Sequence, residues 1–361
     1  MDDVARIRDR IDELDQEIVR LLKNRHENSK ILGRIKSQRG LDYRDPEREK
    51  IILSKIERAA IILDLDPKLI RPIFEQIFAL SVQAQRGQAE KSAKRLDQTR
   101  ILIVGGTGGM GRFFARFASL QGAKVKLAGR EINKTRTAAT EMEVEPGTIL
   151  DAASSDIVIL SVPTAETVRV ATETASLMTA GSLLTELSSV KTGISDRVAE
   201  KIPKGIEYIS LHPLFGPGTD HLHGQTIIAI SYRPGQKWSK LARALQGSGS
   251  RIVTMSAAQH DRAMAYVQGL HHFGLITLGI GLDGMGGEPR TQSLRETETR
   301  IASLLNNWDT IVGIQLLNPF VPPVRQKFLE VAGNLAQIRP TQASGVKKRL
   351  ASNVQKWTRK L

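Results

Sequence analysis

The chain of 361 residues has no cysteine. Disulfide scaffolds, thiolate zinc sites and thiol nucleophiles are therefore excluded, and a reducing, cytoplasmic setting fits. Long apolar runs are missing too: none approaches the ~20 residues of a membrane helix. The opening stretch MDDVARIRDR lacks the apolar region of a secretory leader, so none is expected. Acidic residues are absent from residues 336–361, which hold seven basic ones, half of the formal net charge of +14. Charge gathered in a short tail argues against a nucleic-acid groove across the fold. A solvated basic tail is expected, although it could touch polyanions. What is present, 40% hydrophobic and 25% charged residues, suits a globular protein. The length suggests two or three domains.

The first ninety residues read as helix. Val4, Ile7, Ile11, Leu14, Ile18 and Leu21 form a heptad-like stripe on one long helix running to about Ser37 and broken at Gly40. Asp45-Pro46 and Asp66-Pro67 place a capping acid and a helix-starting proline ahead of two further apolar helices. Three helices with one so long bury little alone, so a helical dimer is expected. Residues 88–99 are polar and read as a fraying helix end or a linker, the linker placed at 91–99.

The pattern then changes. Short apolar strands at 100–104, 125–128, 157–163, 182–187 and 206–210 alternate with helical stretches, which implies a mostly parallel, doubly wound sheet. Gly106-Thr107-Gly108-Gly109-Met110-Gly111 follows the first strand and opens a helix, the setting that a dinucleotide fingerprint requires. The end of the second strand reads Ala128-Gly129-Arg130-Glu131. Glycine stands where an NAD site places an acid, and Arg130 can pair with a 2′-phosphate. NADP is therefore preferred over NAD. From about Ser256 the chain is helical again.

Ser188–Gly193 (SSVKTG) and Leu211–Pro217 (LHPLFGP) follow strands, at the sheet edge where such folds bind ligands. With GGTGGMG, Ser161-Val162-Pro163 and His260-Asp261 ahead of Met264–Phe273 (MAYVQGLHHF), these segments resemble the prephenate dehydrogenase family over residues 100–335. The resemblance implies hydride transfer from C4 of prephenate to the nicotinamide with loss of carbon dioxide. His212 would accept a hydrogen bond from the C4 hydroxyl, and Ser189 would bond the same hydroxyl or orient His212. Lys191, His272 and Arg300 would bind substrate, Arg300 at the ring carboxylate. Gly106, Thr107, Gly108, Met110, Gly111, Arg130, Ser161 and Pro163 would hold the cofactor. The helices of 256–335 would dimerise.

The N-terminal helices carry a second constellation. Arg25 and Lys36, eleven residues apart, fall within about 20° of one another on a helix, whereas Arg8 is rotated by about 100° from Arg25. One helix cannot aim all three into one pocket; a partner chain could supply the third. Ser81 and Gln85 share a face, and Asp45, Arg48 and Glu49 cluster at a helix start. With Ile7–Leu14 and Gly33-x-x-Lys36, these positions resemble the all-helical chorismate mutase family over about residues 4–87. By that resemblance Arg8 (from the partner) and Arg25 hold carboxylates, Lys36 and Gln85 contact the ether oxygen, and Glu49 takes the ring hydroxyl. Asp45, Arg48 and Ser81 complete the shell. A pericyclic rearrangement needs no nucleophile or general base, only a held conformer and stabilised charge.

The expected chain is multidomain. An all-α three-helix mutase domain (1–90) and a linker (91–99) precede an α/β doubly wound Rossmann domain (100–255). An all-α dimerisation domain (256–335) and the basic tail (336–361) follow. The product of the first activity, prephenate from chorismate, is the substrate of the second. The reading is a bifunctional homodimer of tyrosine biosynthesis that acts on small molecules, not on membrane or nucleic acid. Arogenate as the dehydrogenase substrate, a mutase domain reduced to a dimerisation arm, and a nucleotide-sensing regulator with a helical arm stand as alternatives.

Overall fold

The computed structural model describes residues 3–38, 43–92, 94–219, 221–287 and 289–358. Three helices come first: α1 (Asp3–Gln38), α2 (Pro46–Ile62) and α3 (Pro67–Ser92). Asp45 caps α2, accepting the Arg48 amide at 2.9 Å, with Pro46 in the first turn. Asp66 accepts the Lys68 amide in the same way at 2.9 Å. The break expected at Gly40 lies outside the described residues. Both α1 and α2 pack on α3, around Leu53, Phe78 and Ala84. At the α1–α3 crossing a Cβ on Gly33 would lie 2.2 Å from the Gln85 carbonyl oxygen, so only glycine lets the backbones meet this closely. The N-terminal stripe of α1, Val4, Ile7, Ile11, Leu14, Ile18 and Leu21, stays at least half exposed.

An eight-stranded sheet follows, in the order β3-β2-β1-β4-β5-β6-β7-β8. Its strands are β1 (Arg100–Val104), β2 (Lys124–Ala128), β3 (Glu145–Pro146), β4 (Ile157–Leu160), β5 (Leu183–Glu186), β6 (Glu207–Pro213), β7 (Thr226–Arg233) and β8 (Arg251–Thr254). All neighbours run parallel except β6 and β7. Ile101, Ile103, Ile157 and Ile159 face Phe114 and Phe117 of α4 (Gly109–Leu120), Ala138 of α5 (Ile132–Glu141) and Leu241 of α8 (Gln236–Gly247). Leu102, Val158 and Leu184 face Val170 of α6 (Thr167–Leu177) and Val198 of α7 (Ser195–Lys201). Apolar side chains are thus needed on both faces, and the inner strands read as continuous apolar runs. The sequence reading assigned no strand between 211 and 255, where β7 and β8 lie. The antiparallel turn from β6 into β7 carries no crossover helix, so the strand–helix alternation gave no cue there. The linker reading also needs correction at its end: Leu96 is fully buried in the sheet core, and its amide donates to Gln121 at 3.0 Å.

The chain continues through α9 (Ala257–Met264), a π-helical turn (Ala265–Leu270), α10 (His271–Gly281), α11 (Gln292–Leu304), α12 (Trp308–Leu317) and α13 (Val321–Ala336). Residues 343–358 of the basic tail form a further helix, α14 (Ala343–Thr358), on which Val346, Leu350 and Val354 recur every fourth residue. No described helix is long and apolar enough to cross a membrane.

Candidate active sites

The strand order reverses between β1 and β4, and their carboxyl ends open the crevice where doubly wound sheets bind ligands. Gly105, directly after β1, has φ +82°, and a Cβ there would lie 2.2 Å from the Ser161 carbonyl oxygen. A Cβ on Gly111 would lie 2.5 Å from the Gly105 oxygen. Gly108 occupies the N-cap of α4, so backbone amides face the crevice at a helix N-terminus. Thr107 and Met110 are half-buried beside it, with half-buried Ser161 and exposed Pro163 across the crevice. The cradle fits a pyrophosphate. Sequence reasoning passed over Gly105, although its place at the strand end was a signal for it.

At the end of β2 a Cβ on Gly129 would lie 2.7 Å from Thr135 Oγ1, so the position has no room for an acidic side chain. Arg130 is exposed, and Glu131 pairs with Lys134 at 3.0 Å.

The LHPLFGP segment packs against this crevice. Pro217 lies where a Cβ on Gly109 would come within 2.5 Å, and the Phe215 ring sits 5.1 Å from that of Phe113 on α4. His212, near the end of β6, is buried, and its Nδ1 lies 2.8 Å from His260 Nε2. His260 Nδ1 lies 2.7 Å from Asp261 Oδ1. Asp261 also accepts the amides of Thr192, at 2.7 Å, and Lys191, at 3.0 Å. Burial holds His212 well below the usual histidine range, and nearby His260 and Lys191 add to this. Burial also lowers His260, against the pull of Asp261. Burial alone would raise Asp261, but hydrogen bonds from His260 and the Thr192 amide outweigh it and keep the carboxyl low. Sequence reasoning quoted His260-Asp261 without giving either residue a role.

Lys191 requires a correction as a substrate ligand. Its side chain is fully buried, donating to Glu186 Oε1 at 3.0 Å and to the Leu211 carbonyl at 2.8 Å, with Ser188 Oγ at 3.5 Å. Glu186, itself buried, also accepts from Ser210 and from the Ser188 amide. An ammonium enclosed in this way cannot reach a substrate; it fixes the loop and the strand end beside His212. Ser189 is half-buried on that loop. His272 is half-buried with its Nδ1 enclosed and, among the described residues, unpartnered, while His271 is exposed. Arg300 is exposed on α11, and among the described residues no hydrogen bond or ion pair joins it to the His212 group.

In the helical domain the α1–α3 crossing gathers a second site. Arg25 donates to the Ile77 carbonyl at 3.2 Å and lies 5.4 Å from the Phe78 ring centre; burial lowers its pKa. Ser81 is buried on the next turn of α3. Lys36 donates to the Tyr43 carbonyl at 2.9 Å. Gln85 is buried beside Gly33, and among the described residues its Oε1 has no partner. Glu49 is half-buried and pairs with Arg44 at 3.2 Å, whereas Asp45 and Arg48 are exposed. Arg8 is exposed, and at ~1.5 Å per residue it lies about 26 Å along α1 from Arg25.

Comparison with known proteins agrees with both halves. A family model described as "Chorismate mutase type II" matches residues 7–86, and "Prephenate dehydrogenase, nucleotide-binding domain" matches residues 114–229. A protein of Methanocaldococcus jannaschii described as "Probable arogenate/prephenate dehydrogenase" is 30% identical over 66% of this chain and 56% of its own length. The T-protein of Enterobacter agglomerans is 30% identical over 78% of this chain and 71% of its own. The crystal structure of an A. aeolicus prephenate dehydrogenase, in complex with hydroxyphenyl propionate and NAD+, superposes with a TM-score of 0.56 at 18% identity. It covers 73% of this chain and 99% of that one, a likeness of fold. The chain belongs to the T-protein family, in which a chorismate mutase domain and a prephenate dehydrogenase domain share one polypeptide.

Proposed function

We propose that the helical domain rearranges chorismate to prephenate and that the sheet domain oxidatively decarboxylates prephenate to 4-hydroxyphenylpyruvate, on the route to tyrosine. The convergence of the glycine cradle with buried His212 supports the second activity most strongly. A bound nicotinamide supplies a hydride acceptor. His212 takes the hydrogen bond from the C4 hydroxyl as hydride leaves that carbon, and low basicity keeps the imidazole neutral for this task. The electron pair of the ring–carboxylate bond moves into the ring as carbon dioxide departs, and the oxygen ends as a phenol. Ser189 orients the hydroxyl, half-buried His272 meets substrate through Nε2, its Nδ1 being enclosed, and Arg300 binds the ring carboxylate. NADP is the preferred cofactor, because Gly129 excludes a ribose-binding acid and exposed Arg130 suits a 2′-phosphate.

In the mutase site Arg25 receives a carboxylate, while Lys36 and Gln85 stabilise charge on the ether oxygen. Glu49 takes the ring hydroxyl, and Asp45, Arg48 and Ser81 close the shell. The buried Gln85 carboxamide supports a polar pocket in which its NH2 group donates to the ether oxygen. The length of α1 supports a homodimer in which Arg8 comes from the partner chain. Replacing His212 with asparagine tests the division of labour: NADP reduction from prephenate is lost while chorismate consumption persists. Loss of both together, or of neither, contradicts it.

A further inference from the structure

Behind His212 stand a second histidine and a buried carboxylate to which no role has been given. The geometry points to His260 and Asp261 as a positioning pair that locks His212 with hydrogen on Nδ1 and a bare lone pair on Nε2. This deepens the dehydrogenase reading and rests on His212 being its base. Asp261 is the anchored end, held by the amides of Lys191 and Thr192. A carboxylate only accepts hydrogen bonds, so the 2.7 Å contact puts hydrogen on His260 Nδ1. A neutral His260 then has a bare Nε2, and the 2.8 Å contact puts hydrogen on His212 Nδ1.

A doubly protonated His260 would reverse this and place the hydrogen on His212 Nε2, blocking it. The charged groups acting on His260 are Asp261, Glu186 and Lys191. The two carboxylates favour the charged ring, while Lys191 and burial oppose it; burial is the largest influence, and the ring stays neutral. As the substrate hydroxyl leans its proton onto His212 Nε2, the growing positive charge is met at Nδ1 by His260 and beyond it by Asp261. No proton need cross the chain, and the phenol oxygen regains its own when carbon dioxide leaves.

Asp261→Asn keeps the shape and reverses the order, because its carboxamide can donate to His260 Nδ1 and so cap His212 Nε2. With prephenate and NADP the expected loss in kcat is at least about 100-fold, with the prephenate KM within about threefold. Mutase turnover in the same preparation reports the amount of intact chain, and an unchanged affinity for NADP reports that the sheet domain is folded. His260→Gln retains an acceptor for His212 and keeps at least about a tenth of the rate, whereas His260→Leu falls as far as Asp261→Asn. Nitrogen-15 NMR of the unliganded wild type is expected to show hydrogen on His212 Nδ1. An Nε2–H tautomer overturns the proposal, as does an Asp261→Asn enzyme with intact mutase and kcat within about threefold of wild type. If the wild-type chain oxidises no prephenate with either nicotinamide cofactor, the base assignment fails instead, and the NMR result still judges the tautomer chain.

Discussion

At the residue scale, side chains near the dehydrogenase site divide into those aimed at ligands and those that hold others in place, and sequence position does not separate them. Lys191 and Ser189 share one loop, yet Lys191 is enclosed by Glu186 and the Leu211 carbonyl. Lys191→Met would leave the Glu186 carboxylate buried without its cation and should cost about 3–5 kcal/mol in denaturant unfolding of the sheet domain. A rise in the prephenate KM with unchanged stability would instead return Lys191 to the role of ligand. Arg130 is the opposite case, exposed at the mouth of the crevice. Arg130→Ala should raise the KM for NADP by about 10- to 100-fold and leave that for NAD nearly unchanged, consistent with one lost charge-assisted pair. Equal effects on the two cofactors would contradict the preference. Motif letters revealed His212, but His260 lies 48 residues further on with Asp261 next to it, and only folding shows that His260 meets His212.

Elements explain why small residues decide so much. Gly33 in α1 was quoted as part of a motif, but its reason appears only at the crossing with α3, where a methyl group would strike the Gln85 backbone. Gly33→Ala should push α1 away from α3, lower mutase turnover at least about tenfold and leave prephenate oxidation unchanged, because a shift near 1 Å misplaces Lys36 and Gln85. Equal mutase rates would show that the crossing does not set the site. Strands β1, β4 and β5 and the helix caps at Asp45 and Asp66 were legible because period and capping chemistry are local. Strand β7 and helix α14 were not, since one follows an antiparallel turn and the other was masked by its charge. The β6 end also predicts a pH effect. His212 is lowered in the folded state, so the unfolded chain binds its proton first as pH falls through ~6.5, and stability drops below that value. A sheet domain whose unfolding midpoint holds constant from neutral pH to about pH 5 would contradict the neutral histidine.

The whole molecule joins a mutase domain to a dehydrogenase domain; the proposed product of the first is the proposed substrate of the second, and the two sites share no residue. The exposed stripe of α1 and the distance of Arg8 from Arg25 are what the proposed dimer of the mutase half rests on. Leu14→Glu in that stripe should yield monomers by sedimentation, with mutase activity lost and prephenate oxidation less affected; a fully active monomer would refute partner-supplied Arg8. Both domain types were legible because their motifs are dense within single segments. The proposed assembly rests on an apolar stripe too long for the helices that accompany it. One cuvette experiment meets the central claim directly. Purified chain is mixed with chorismate and NADP, and reduced nicotinamide is followed by absorbance. The account predicts reduction that begins after a lag, as prephenate forms, and that disappears in His212→Asn while chorismate is still consumed. Chorismate left untouched by a protein that oxidises added prephenate would contradict it, as would prephenate accumulating with neither NADP nor NAD reduced.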